Sequence, residues 1–175
     1  MKYFLTADMH FSHSNIIKYC NRPFKDVDHM NWELVRRWNE RVKDEDMVFH
    51  IGDFGFDKGY KWYPKLHGMK YMIKGNHDKN NHVKTLVQST VIQFANKDYY
   101  LVHRPEHANT DYEINFVGHV HEKWKYQLIA NQPYSEEKIY AINVGVDVWD
   151  FYPVEIQEAL AGLQKWKKEN EKSIT

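Results

Sequence analysis

A chain of 175 residues with 42% hydrophobic and 27% charged residues can form one domain with a sizeable core, and it needs neither disulfides nor a metal merely to fold. Its 24 basic and 24 acidic residues cancel, which argues against a protein that coats a polyanion, although a nucleotide or a strand end can still enter a local site. Cys20 is the only cysteine, which excludes an internal disulfide and a thiolate zinc cluster. Mean hydropathy is −0.75 with no long apolar run, so a membrane span is not expected and a reducing cytoplasm is.

In chain order, Tyr3 to Ala7 reads as a strand. It is too short for a signal-peptide core, and Asp8 and His10 end it. Ser14 to Tyr19 reads as a short helix. A longer one spans Asp28 to Val42, with Val35, Trp38 and Val42 on one stripe, Leu34 beside it and Asp28 as the N-cap. Strands are expected at Met47 to Ile51 and Lys70 to Lys74. Between them, Gly59 to His67 reads as a helix that Pro64 disrupts unless it lies in the first turn. Further strands are expected at Val91 to Ala95, Tyr99 to His103, Ile114 to Val117 and Ile139 to Val144.

Residues 122–138 form an aromatic and charged insertion containing Trp124, Tyr126 and Tyr134. Its readings are a sheet edge, a dimer contact, or a substrate-side loop on which a base stacks. Glu155 to Lys168 has helical spacing at Ile156, Leu160, Leu163 and Trp166, and residues 167–175 read as a frayed polar tail. Strands and helices interleave in the first half and strands dominate the second. The expectation is a single α/β domain over residues 1–175, with mixed sheets covered by helices.

Eleven histidines are an excess, and their positions carry chemistry. Asp8-Met9-His10, Gly52-Asp53, Gly75-Asn76-His77-Asp78, His103 and Gly118-His119-Val120-His121 occur in that order, and each closes a strand-like run. Alone, each is an ordinary turn or a solvated strand end. Together they place site residues at one edge of a sheet. Asp8, Asp53, Asn76, His10, His103, His119 and His121 offer oxygen and nitrogen but no sulfur. One closed site needs four ligands, so seven groups suit two divalent transition ions sharing a carboxylate. Manganese leads the candidates, with iron, zinc, nickel or cobalt also suited.

If the backbone is extended, residues i and i+2 lie roughly 6–7 Å apart on one side. Asp8 and His10 would then grip one ion, and His119 and His121 would reach two ions about 3.5–4 Å apart. Gly52, Gly75 and Gly118 are expected where the backbone turns tightly beside the ions.

On these blocks the sequence resembles the calcineurin-like metallophosphoesterase superfamily, whose pattern is D-x-H, G-D, G-N-H-D/E, H and G-H-x-H. The resemblance runs from Met1 to about Pro153. It implies a sandwich of two mixed β-sheets flanked by helices in α/β/β/α layers, with a binuclear site at the strand ends. By position, Asp8, His10, Asp53 and His121 would hold the first ion. Asp53 would bridge to a second, completed by Asn76, His103 and His119. His77 would be the catalytic histidine and Asp78 its orienting partner. Many members have Gly after the fourth-block histidine, whereas Arg104 and Pro105 follow His103 here. Residues Asp8-Met9-His10-Phe11-Ser12-His13-Ser14-Asn15-Ile16-Ile17, followed by Arg22-Pro23-Phe24, are similar to a small bacterial and phage-type branch.

His13 reads either as facing the phosphate or as a helix entry. Arg22 and Arg104 are candidate phosphate clamps. His50 reads as a hydrogen-bonded core residue, and His29, His67, His82 and His107 as surface. Two divalent ions carry four positive charges and Asp8 and Asp53 return two, so the site would stay cationic. Hydroxide from water bridging the ions would attack phosphorus, and His77 would protonate the departing oxygen. The expected activity is hydrolysis of a phosphomonoester or phosphodiester in an open site, with a nucleotide or a nucleic-acid end as one possible substrate. No membrane or obligate protein partner is expected. The rival is a non-catalytic protein-interaction scaffold, which need not keep the whole ligand set that this sequence keeps.

Overall fold

The computed structural model describes residues 1–79, 83–85, 87–130 and 138–174. Four strands form the first sheet: β1 (Tyr3–Thr6), β2 (Met47–Ile51), β3 (Met69–Ile73) and β9 (Val154–Glu155), in the order β3-β2-β1-β9. β1, β2 and β3 are parallel, with Tyr3 opposite Met47 and Met47 opposite Met69, and β9 is antiparallel to β1. The second sheet contains β4 (Ser89–Phe94), β5 (Lys97–Val102), β6 (Ile114–Val117), β7 (Tyr126–Ala130) and β8 (Lys138–Asn143), in the order β4-β5-β6-β8-β7. Its centre β5-β6-β8 is parallel, and antiparallel strands close both edges.

Alternation along the strands makes the sandwich. Leu5, Phe49, Ile51 and Ile73 from the first sheet share one buried cluster with Leu101, Ile114, Phe116 and Ile142 from the second. Residues one step along, Phe4, Val48 and Met72, face the other way. They pack with α1 (Ser14–Tyr19) and α2 (Val27–Arg41), through Ile16, Met30, Leu34 and Trp38. The third helix, α3 (Ile156–Ile174), contributes Ile156, Ala159 and Leu163 to the intersheet cluster. Among the described residues no helix is long and apolar enough to cross a membrane.

Several local expectations shift. The N-cap of α2 is Asp26, whose carboxylate accepts from the His29 N–H at 2.8 Å, and Asp28 lies in the first turn instead. Asp57–Lys65, containing Pro64, is 3₁₀ rather than α-helical. Part of the 122–138 insertion is β7, a sheet edge, and Trp124 packs with Val102, Val117 and Ala141; Tyr134 lies outside the described residues. The expected tail from Lys167 onward continues α3 as far as Ile174. His50 is buried, but neither ring nitrogen has a hydrogen-bond partner. Its ring stands edge-on to Phe54 at 5.2 Å, and burial pushes its pKa down to about 3, so it acts as a neutral aromatic filler. His29, His67 and His107 are exposed, whereas His82 lies outside the described residues.

Candidate metal centre

The carboxyl ends of β1, β2, β3, β5 and β6 converge on one edge of the sandwich, bringing Asp8, Asp53, Asn76, His103 and His119 together. Backbone bonds from the Ala7 N–H to the Val144 carbonyl and from the Val146 N–H to the Ala7 carbonyl, at 3.0 and 3.1 Å, stitch the two sheets there.

Extended backbone is not what aims these side chains. Asp8, His10, Asp53, His119 and His121 all have positive φ, at 58°, 51°, 58°, 72° and 49°. Each such residue costs on the order of 1 kcal/mol or more, so the surroundings must hold it. The Asp8 and His10 N–H groups donate to the Gly52 and Asp53 carbonyls, both at 3.0 Å, locking the first block to the second. The third block is locked to the second through Asp78. Its carboxylate accepts from the N–H groups of Gly75, Asp53 and Phe54 at 2.7, 2.9 and 3.0 Å. Gly75 is obligatory in this loop, because a Cβ there would fall onto the Asp53 carboxylate and backbone nitrogen.

Asp78 therefore braces two loops. These three bonds give Asp78 a bracing role beside the orienting of His77 that the resemblance implies. His77 itself is exposed, with its ring 5.4 Å from that of His10, and its N–H donates to Asp53 Oδ1 at 2.8 Å.

Three trios have ligand atoms all within 4.8 Å of one another: Cys20, His121 and Asp147, and, built from the expected ligands alone, Asp8, His10 and His121, and Asp53, His103 and His119. Asp53 links the last two. Its Oδ2 lies 3.6 Å from His10 Nε2 and 3.2 Å from His103 Nε2. Asn76 joins the Asp53 trio, with its Oδ1 3.1 Å from His103 Nε2.

The imidazoles are set up as ligands by what their other nitrogens touch. His103 Nδ1 lies 2.8 Å from the Ile51 carbonyl, which can only accept, so Nδ1 carries the proton and Nε2 presents its lone pair inward. His121 Nδ1 is fixed likewise by Asp147 Oδ2 at 3.0 Å. His10 Nδ1 lies 3.2 Å from His13 Nδ1, and His10 Nε2 is fully buried with no hydrogen-bond partner. A buried orphan acceptor facing a shared carboxylate fits a metal ion. His13 is the N-cap of α1 but makes no side-chain cap hydrogen bond; its ring nitrogen lies against His10 instead.

Electrostatics agree with that donor set. Burial holds His10 well below the usual imidazole range, which keeps it neutral. Burial raises the Asp8 carboxyl to about 6, against the opposing charges of His103 and His121. At Asp53 burial acts upward, yet the bond to His103, the charge of His103 and the bond from the His77 N–H hold it well below the usual carboxylate range. Burial opposes protonation of His103 and His121. The bond to Asp53 nevertheless lifts His103 to about 9, and the bond to Asp147 lifts His121 to about 10. In these two groups a proton stands where a cation is wanted.

Arg22 is no phosphate clamp. Its side chain is 0% exposed and pairs with both Asp147 oxygens at 2.7 and 2.9 Å. It also donates to the Asp8 and Met9 carbonyls at 2.7 and 3.1 Å. Buried beneath the first block, it holds that loop in its left-handed turns. Arg104 is partly exposed and paired with Glu106 at 2.9 Å. Asp147 and Asn143 also belong to this arrangement, although none of the five sequence blocks contains them. Asn143 donates to the His121 and Trp124 carbonyls, both at 2.8 Å. The available signal was Asn143-Val144-Gly145-Val146-Asp147, another polar block closing a strand.

A profile described as the calcineurin-like phosphoesterase superfamily domain matches residues 1–147. An uncharacterized protein of Methanocaldococcus jannaschii is 34% identical over 172 residues, covering 95% of this chain and 93% of that one. The Gene 66 protein of a Mycobacterium phage is 30% identical over 80 residues, covering 42% of this chain and 39% of that one. Among solved structures, a protein of unknown function from Aquifex aeolicus superposes with a TM-score of 0.70 at 23% identity, covering 90% of this chain and 96% of that one.

Proposed function

The chain belongs to the calcineurin-like phosphoesterase superfamily, and from that premise we propose that it hydrolyses a phosphomonoester or phosphodiester at a binuclear metal site. One observation carries the reading: Asp53 Oδ2 sits between two imidazole nitrogens, 3.6 Å from His10 and 3.2 Å from His103. One carboxylate oxygen facing two separate ligand groups is the arrangement that two adjacent cations require. Asp8, His10, His121 and Asp53 would hold one ion, and Asp53, Asn76, His103 and His119 the other. Manganese suits the mixed nitrogen and oxygen set, as do iron, zinc, nickel and cobalt. When bound, the ions supply Lewis acidity, lowering the pKa of water toward about 7 and neutralising phosphoryl oxygens.

The chain's own groups do the rest. Asp147 and the Ile51 carbonyl fix the His121 and His103 tautomers, so no reorganisation is needed as charge develops. Asp78 holds the second and third blocks at a fixed separation. His77, exposed beside His10, protonates the leaving oxygen. Hydrolysis of bis(p-nitrophenyl) phosphate and of p-nitrophenyl phosphate tests the reading. Activity should vanish on chelation and return with manganese, and Asp53→Asn should be more damaging than loss of any one histidine ligand. Full turnover in excess chelator would overturn it.

A further inference from the structure

Among the described residues, two clefts adjoin the candidate centre, and their walls differ. One, of about 320 Å³, adjoins His10, His119 and His121; it is walled by His13, Ile16 and Tyr19, and its two charged side chains, Glu122 and Lys123, offset each other. The other, of about 440 Å³, adjoins Asn76 and His103. Its walls carry Lys74 from the end of β3, Lys79 from the loop after Asp78, and Arg104 from the loop after β5, and among the described residues no carboxylate lines it. Arg104 is already paired with Glu106, but among the described residues neither Lys74 nor Lys79 makes an ion pair. Ser89 and Tyr100 add hydroxyls to the same wall, bonded to each other at 2.7 Å. A chain of zero net charge thus gathers three cations on one side of its site.

We propose that the cleft beside Asn76 and His103 is a subsite for a second phosphate group. Resting on the hydrolysis proposed above, this makes the substrate a phosphate ester with a further phosphate on the arm that leaves the centre past Asn76. The scissile phosphate would be held at Asp53, and an arm running past Asn76 and His103 would enter this cationic cleft. An uncharged arm would leave two ammonium groups unmatched in a concave wall. A dianionic phosphate matches them, because its three oxygens can each take a charge-assisted hydrogen bond from Lys74, Lys79 or a hydroxyl. The volume suits a phosphate together with the small scaffold that carries it.

Calorimetric binding tests the subsite independently of turnover. The manganese-loaded chain would be titrated with thymidine 3′,5′-bisphosphate against thymidine 5′-monophosphate, and with fructose 1,6-bisphosphate against fructose 6-phosphate. At least one bisphosphate should bind about tenfold or more tightly than its own monophosphate, the expected gain from one screened charge-assisted contact. Which pair shows the gain tells whether the scaffold is a nucleoside or a sugar. The ratio should shrink with added salt and approach one in Lys74→Gln/Lys79→Gln. Equal affinities within both pairs, or a ratio that survives the double substitution, would overturn the proposal. Failure to hydrolyse bis(p-nitrophenyl) phosphate would strike the proposed function alone and leave these ratios readable.

Discussion

Replacing Arg22 by Met separates a structural guanidinium from a substrate clamp. The Arg22 and Asp147 side chains are 0% and 3% exposed, so solvent screens their bidentate pair very little. Breaking a buried pair by removing one partner typically costs about 3–5 kcal/mol, because the other charge is left uncompensated. The Asp8 and Met9 carbonyls lose their donors as well. At roughly 2–4 °C per kcal/mol for a chain of this size, Tm should fall by roughly 6–20 °C.

Metal affinity should fall too, by about 10–100-fold. Arg22 holds the left-handed turns at Asp8 and His10, and it holds Asp147 against His121. Arg22→Met/Asp147→Leu removes both charges. It should regain much of the stability without regaining the metal affinity, since His121 then has no orienting carboxylate. Urea unfolding in chelator gives the stability, and manganese titration gives the affinity. Arg22→Met with stability within about 0.5 kcal/mol of wild type, unchanged manganese affinity and a raised KM would return Arg22 to the substrate.

His77→Asn should lower kcat/KM by about 10²–10⁴-fold on alkyl or nucleoside esters and clearly less on nitrophenyl esters, which leave without a proton. Equal losses across leaving groups, with metal content retained, would assign His77 to positioning instead. Protonated His103 and His121, with values near 9 and 10 against an ordinary 6.5, add stability that is complete below pH 6.5 and is lost as pH rises through those values. In chelator, Tm should therefore fall between pH 7 and 10. Cations compete with those protons, so the Tm gain from saturating manganese should grow over the same range; a gain that is flat with pH would contradict the donor assignment.

The candidate ligands are legible in the sequence because each block pairs a chemically conspicuous residue with the end of an apolar run. Met47–Ile51, Ile114–Val117 and Ser14–Tyr19 are likewise legible to the residue, each being a dense apolar or patterned run between clear stops. What holds the ligands is hidden for a different reason. Arg22 and Asp147 lie 125 positions apart, and nothing local marks either as a partner of the other. The left-handed backbone at five candidate ligands is imposed by bonds between blocks, such as the His10 N–H to the Asp53 carbonyl, and short-range pattern favours extended chain there. β9, at two residues, is too short for any periodicity, and its place depends on pairing with Phe4 and Leu5. Asp26 and Asp28 are equivalent caps by residue type, and only the bond to the His29 N–H distinguishes them.

A pair of cations sharing Asp53 is tested most directly by bis(p-nitrophenyl) phosphate hydrolysis measured against bound manganese per chain in a stripped sample. Turnover should stay near zero up to about one ion and rise as the second binds, with saturation at two. Full turnover at one bound ion, or at none, would contradict it.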